Sequence, residues 1–168
     1  MPKARPWTGP VLLGLGLAAS ACSSGTPVEL VGLTHNEQRA IVASADAQQS
    51  GGTRSDIHTA CEIQVLGATQ ASAMTLDAYL IVLCEAGARS SPCAQDSGFQ
   101  TAATATVRSG TVRSLALDPD EDQAYVDWIH THMRSALWSA ATNADGTRLE
   151  KRADSALKCE CERAPAMR

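Results

Sequence analysis

The fold of this chain is decided by Tyr79–Cys84, a segment with the sequence YLIVLC that is apolar at every position. A half-buried strand alternates polar and apolar side chains, whereas a short continuous apolar run indicates a strand covered on both faces. We therefore expect Tyr79–Cys84 to be a central strand, with other strands at its sides and apolar residues packed above and below it.

Three more segments have the composition of strands, because they are rich in β-branched residues or alternate polar with apolar residues. They are residues 61–66, 100–107 and 111–117. A tight turn at Ser109 and Gly110 would place Val107 opposite Val112. Together with the central strand, these segments predict a meander of four antiparallel strands.

A first helix is predicted before the meander. Thr34 and Glu37 have the spacing of a capping box, in which each side chain accepts a hydrogen bond from the other residue's backbone N–H. Alanines and Ile41 continue the pattern to about Gln49.

A second helix is predicted after the meander, starting at Asp118 and running to about Ala141. Asp118 can cap it, and Pro119 suits its first turn. The face expected against the sheet contains Tyr125, Ile129, Met133, Ala136 and Ala140. Thr147 and Glu150 then repeat the capping-box spacing, which predicts a short helix up to Cys159.

This order of elements predicts an α+β domain in which helices pack on one face of an antiparallel sheet. In its helix–meander–helix order the chain resembles the cystatin-like and nuclear-transport-factor-like rolls, and no motif adds to that likeness. The central strand is apolar on both sides, so the second sheet face needs cover from the N-terminal segment, the tail or another molecule. We expect a protein partner or a second copy of the chain as one candidate.

The N-terminus has the features of an export signal. Lys3 and Arg5 precede an uncharged stretch, and its apolar run is shorter than the roughly 20 residues of a membrane-spanning helix. Leu17–Ala21 then leads to Cys22, and this arrangement resembles the lipid-attachment signal of bacterial lipoproteins. The family prefers Leu where this chain has Ala19. An ordinary secretory signal, which would leave Cys22 as a thiol, is the alternative.

The resemblance implies that residues 1–21 are removed and that acyl chains on Cys22 hold the protein at a bacterial cell membrane or outer membrane, outside the cytoplasm. Residues 22–33 would be a lipidated tether and lead-in, 34–142 one α+β domain, and 143–168 a turn and short helix packed on it. Loss of the leader changes the formal net charge from −4 to −6. An acidic chain without a basic stripe argues against nucleic acid as a partner.

Five cysteines remain after Cys22, and outside the cytoplasm cysteines tend to form disulfides. Cys84 and Cys93 are the first expected pair, because they would close the polar loop at 85–92. Cys61 is expected to pair with Cys159 or Cys161, which would attach the tail to the sheet. One of the five is left over.

Few patterns suggest chemistry. Asp118, Asp120 and Asp122 have the start of a calcium-loop spacing, but the glycine and the closing glutamate that such a loop needs are missing. His130 and His132 are two apart on a predicted helix, so they diverge. The chain has no serine-hydrolase or zinc-protease motif.

Cys159 and Cys161 are a closer candidate, because paired thiolates can bind a soft metal ion or exchange with disulfides. Trp138 is expected to lie away from the sheet, covered by Leu149 or Leu157, or else to contact a partner. The sequence thus predicts a non-catalytic binding or structural lipoprotein of the cell envelope, with no cofactor. The alternative is a metal-handling or thiol-redox lipoprotein that uses Cys159 and Cys161.

Overall fold

The computed structural model describes residues 29–50, 57–88, 95–118 and 124–163, with the backbone alone for residues 88, 95–96, 124 and 160–163. Four strands form one antiparallel sheet in the order β1-β2-β3-β4. The predicted α+β class and the predicted meander are therefore confirmed. The elements are α1 (His35–Ser50), β1 (Ile57–Ser72), β2 (Thr75–Ala88), β3 (Gln95–Arg108), β4 (Thr111–Leu117), α2 (Ala124–His132), a 3₁₀ turn (Ser135–Leu137), α3 (Trp138–Thr142) and α4 (Thr147–Arg163).

Strand β2 lies at the centre and contributes to a separate apolar cluster on each side of the sheet. Leu80, Val82 and Cys84 face one cluster, which also contains Ile41 and Ala45 of α1. The intervening Tyr79, Ile81 and Leu83 face the other cluster, to which α2, α3 and α4 contribute Ile129, Ala141, Leu149 and Ala153. The continuous apolar run thus serves two cores.

The helices are divided between the two faces, whereas the sequence had predicted them on one. Helix α1 packs on one face of the sheet, which we call the α1 face. Helices α2, α3 and α4 pack on the opposite face, which we call the α4 face. Ile41 and Ala45 are completely buried in this arrangement. Helix α1 therefore occupies the apolar face on which the sequence predicted a partner or a second copy. An uncovered apolar face was the reason for expecting a partner there, and α1 removes that reason.

The start of α1 is confirmed as a capping box. The backbone N–H of Thr34 donates to the Glu37 carboxylate at 2.8 Å, and the backbone N–H of Glu37 donates to the Thr34 hydroxyl at 3.3 Å. These bonds satisfy donors that a helix N-terminus would otherwise leave open.

The predicted second helix is wrong in its length, because it is broken at Arg134. That residue is extended, with ψ of 140°, and separates α2 from the 3₁₀ turn. The break changes which helical positions face the sheet. Leu137 and Ala141 are buried, whereas Ala136 and Ala140, which were predicted to face the sheet, are exposed. Burial of Leu in place of Ala adds about 2 kcal/mol of apolar transfer energy, which favours the broken path. The predicted cap region at 119–123 lies outside the described residues.

Helix α4 is longer than predicted and begins differently. It extends to Arg163, beyond the expected end at Cys159. At its start, the Asp145 carboxylate accepts a hydrogen bond from the backbone N–H of Thr147 at 2.9 Å. The predicted box of Thr147 with Glu150 is therefore replaced by a bond to Asp145, two residues before Thr147.

The hairpin between β3 and β4 has the predicted register, with Val107 opposite Val112. Ser109 and Gly110 both have positive φ, 51° and 77°. Such values at both central residues match the twist of a two-residue hairpin turn.

We predict that Gly110→Ala lowers the free energy of unfolding by about 1 kcal/mol, because its φ disfavours any side chain. Gly32→Ala is the matched control: a Cβ has open space at both glycines, and positive φ is found at Gly110 alone of the two. Urea unfolding of both variants measures the difference. Equal midpoints would show that the turn does not limit stability.

A disulfide joins Cys61 to Cys84. The expected pairs of Cys84 with Cys93, and of Cys61 with Cys159 or Cys161, are therefore wrong. Cys61 and Cys84 are directly opposite in the register of β1 and β2, on the α1 face, and this proximity could not be read from spacing along the chain. The Asp46 carboxylate of α1 accepts a hydrogen bond from the Cys61 backbone N–H at 2.7 Å, so helix, strand and disulfide meet at one point.

We predict that the double variant Cys61→Ala, Cys84→Ala loses about 3 kcal/mol of unfolding free energy, the value expected for a loop of this length. Cys159→Ala is the control, since that cysteine is free and exposed. Peptide mapping without reduction should recover Cys61 and Cys84 in one linked fragment. An unchanged denaturation midpoint in the double variant would contradict the stabilising role.

Candidate functional site

Glu85 is the most unusual polar residue in the described structure. It lies on β2, on the α4 face, and is only 1% exposed. Neither of its carboxylate oxygens has a hydrogen-bond partner. A buried carboxylate without a partner is costly to keep ionised, and such residues are more frequent at functional sites than elsewhere.

The space for Glu85 is made by its small neighbours. In the sheet it lies between Ala60 of β1 and Gly98 of β3. Because Ala60 has only a methyl group and Gly98 only a hydrogen as side chain, there is space on both sides of Glu85. The longer glutamate side chain can therefore lie along the sheet beneath α4. The local sequence thus forms a recess in an otherwise filled apolar face.

The charges nearest to Glu85 come from α4. Burial raises the pKa of the Glu85 carboxyl above its ordinary value of 4.5, Asp154 and Glu150 raise it further, and Lys158 lowers it. The Lys158 ammonium is paired with Asp154 at 2.6 Å on the surface of the helix. The surroundings of Glu85 therefore favour its neutral form. They would also favour the binding of a positively charged group next to an ionised Glu85.

Glu85 is one of the residues that line a cavity of about 180 Å³. Its lining combines two carboxyl groups with apolar surface and one amide: Leu83, Glu85, Gly98, Phe99, Gln100 and Glu150. Such a mixture can hold a small ligand that is positively charged at one end and apolar at the other.

A separate cavity of about 420 Å³ lies along the edge of β1, between Gln38 of α1 and Arg152 of α4. Two of its polar groups have partners: Arg152 is paired with Glu62 at 2.5 Å, and Gln38 donates to the Leu33 carbonyl at 3.0 Å. The site at Glu85 differs, because its central polar group is unpaired.

Of the cysteines singled out in the sequence, Cys61, Cys84 and Cys159 have described side chains. Cys22 and Cys93 lie outside the described residues. Cys159 is a free, exposed thiol. Helix α4 continues to Arg163, so the backbone at both Cys159 and Cys161 is helical.

His130 and His132 contact different aromatic side chains. His130 stacks against Trp138, with ring centroids 4.0 Å apart, and His132 stacks against Trp128 at 4.4 Å. The Trp138 indole also donates to the Met133 carbonyl at 3.1 Å, and its ring packs against the cluster that contains Leu149. Within the described residues, no group of three side chains has the arrangement of a metal site. Of the predicted acidic triplet, Asp118 is buried, and Asp120 and Asp122 fall outside the described residues.

Sequence reasoning missed Glu85 because it assigned residues 85–92 to a polar loop. The structure instead continues β2 to Ala88, so the glutamate belongs to the central strand. A signal was present: a single acid follows six apolar residues, and strand alternation places it on the same face as Leu83.

Comparison of the chain with protein-family models, with characterised proteins and with solved structures finds no match. No described helix is both long enough and apolar enough to cross a membrane. The site must therefore be interpreted from its own residues.

We predict that Glu85→Gln removes a pH dependence of stability. In the unfolded chain Glu85 ionises near its ordinary value, 4.5, and in the folded chain at a higher pH. Folded protein therefore binds the proton more tightly, and stability falls as pH rises from 4.5 through the raised pKa. The variant should match the wild type at pH 4 and exceed it at pH 8.

Urea unfolding between pH 4 and pH 8 measures this difference. Glu29→Gln, at an exposed position, is the control and should retain the wild-type pH profile. Parallel profiles for the wild type and Glu85→Gln would contradict the prediction.

Proposed function

We propose that this chain is a non-catalytic binding protein of a bacterial envelope, anchored outside the cytoplasm by lipid on Cys22. The observation that carries the proposal is the buried disulfide, whose cysteines are 2% and 1% exposed. Disulfides of this kind belong to compartments that oxidise thiols. Export is also what the leader before Cys22 implies.

The lipoprotein assignment supplies the anchoring. Two or three acyl chains on Cys22 exceed what stable membrane attachment requires, at about 0.8 kcal/mol for each buried CH₂. Residues between Cys22 and α1 would then link the bilayer to the folded domain. The destination is the cell membrane or the outer membrane.

The site at Glu85 supports binding rather than a reaction. Its lining offers carboxyl groups, one amide and apolar surface. A carboxyl can act as a general acid, but the described lining residues include no hydroxyl, thiol or amine nucleophile for it to assist. The lining residues are suited to hold a ligand and to select it by charge and shape.

We predict that Cys22→Ser moves the protein out of the membrane fraction of a bacterial host. Wild-type protein should remain with membranes, and its mass should equal the chain from Cys22 onward plus diacylglycerol or three acyl chains. Cys159→Ser is the matched control and should stay membrane-bound. A Cys22→Ser protein that remains membrane-bound with the wild-type mass would overturn the anchoring proposal.

A further inference from the structure

We propose that the cavity beside Glu85 binds a primary alkylammonium group, with the Glu85 and Glu150 carboxylates accepting its hydrogen bonds. The alkyl chain would lie against Leu83. The inference rests on the proposed function and deepens it, because it names the chemical class of the ligand.

The first step is the unmet requirement of Glu85. This carboxyl is 1% exposed, neither oxygen has a hydrogen-bond partner, and the residue lines a cavity. An ionised carboxylate in such a place needs donors, and a buried charge needs a counter-charge. A cation that enters the cavity would supply both.

The second step concerns the charges around the cavity. Lys158 is held by Asp154 at 2.6 Å, and Arg152 is paired with Glu62, the acidic residue of β1 on this face. Glu85 and Glu150 are therefore left as the two acidic groups that line the cavity. The site has an excess of negative charge that a positive group would reduce.

The third step selects the kind of cation. A primary ammonium has three donors on one compact centre, which suits two carboxylates. A divalent metal ion takes six or more oxygen ligands, or four ligands in a tetrahedron, and the described residues contain no group of three that could hold one. Quaternary ammonium groups donate no hydrogen bonds and are held in cages of several aromatic rings. Among the described lining residues Phe99 is the one aromatic residue, and it packs against the cluster on the α1 face.

The fourth step is size. The cavity volume of about 180 Å³ is several times the roughly 30 Å³ that one water molecule occupies in the liquid. A chain of a few methylene groups fits this space. Leu83 provides the apolar wall on the α4 face along which such a chain would lie.

The probe for the test is n-butylammonium chloride, titrated by calorimetry into the purified full-length protein in detergent at pH 7.5. We expect saturable binding with one site per chain. Glu85→Gln should weaken it at least tenfold, because the variant keeps the shape and removes the charge. Glu150→Gln should weaken it severalfold, and the exposed control Glu29→Gln should not change it.

A second readout separates binding at Glu85 from a structural effect. The pKa of Glu85 is raised by its burial and by Asp154 and Glu150, so an ammonium that binds the carboxylate displaces a proton. Titrations at pH 4.5, where the raised pKa keeps most of the Glu85 carboxyl protonated in the folded protein, are run in two buffers of different ionisation enthalpy. They should show proton release with the wild type and less with Glu85→Gln. Circular dichroism checks that each variant is folded.

The outcomes are decisive in both directions. Absence of saturable butylammonium binding, or unchanged affinity in folded Glu85→Gln, would overturn the proposal. Equal or tighter binding of tetramethylammonium or Mg²⁺ at this site would overturn it in favour of another cation. Because Cys22→Ser tests membrane attachment alone, a failure of the lipid anchor and a failure of amine binding would be seen in different experiments.

Discussion

The burial of β2 on both faces is the constraint on which the rest of the structure depends. An antiparallel sheet usually leaves one face to water, but the run from Tyr79 to Cys84 has no polar side to expose. Two layers of helix are therefore needed, and the chain provides them from opposite ends. Helix α1 precedes the sheet and covers one face, while α2, α3 and α4 follow it and cover the other.

The same constraint explains how the domain is held together with so few aromatic residues. Many core positions are alanines, which bury little area. The Cys61–Cys84 disulfide joins the edge strand β1 to the central strand beneath α1, and Asp46 of that helix bonds to the backbone of Cys61. A covalent link within the sheet compensates for a modest apolar core.

Glu85 is a local exception to this pattern. It continues the central strand past the apolar run, and alternation directs it into the α4 face beside Leu83. If β2 ended before this position, the glutamate would lie in a loop. Because it pairs with Ala60 and Gly98, it remains in the sheet and is buried. A buried carboxyl without a partner lowers stability. Natural proteins keep such residues chiefly where they serve a function.

The sequence by itself determined the central residues of the four strands, though not where β1, β2 and β3 begin and end, together with the register of the last hairpin and the start of α1. All three follow from contacts between residues near in the chain: alternation, a two-residue turn and a capping box of Thr34 with Glu37. Tertiary structure decided what depends on distant partners. The disulfide joins cysteines 23 residues apart, Arg134 interrupts a helix so that Leu137 reaches the sheet, and α1 takes the face opposite α4. Glu85 became a candidate site for the same reason, because its burial depends on α4, more than sixty residues later in the chain.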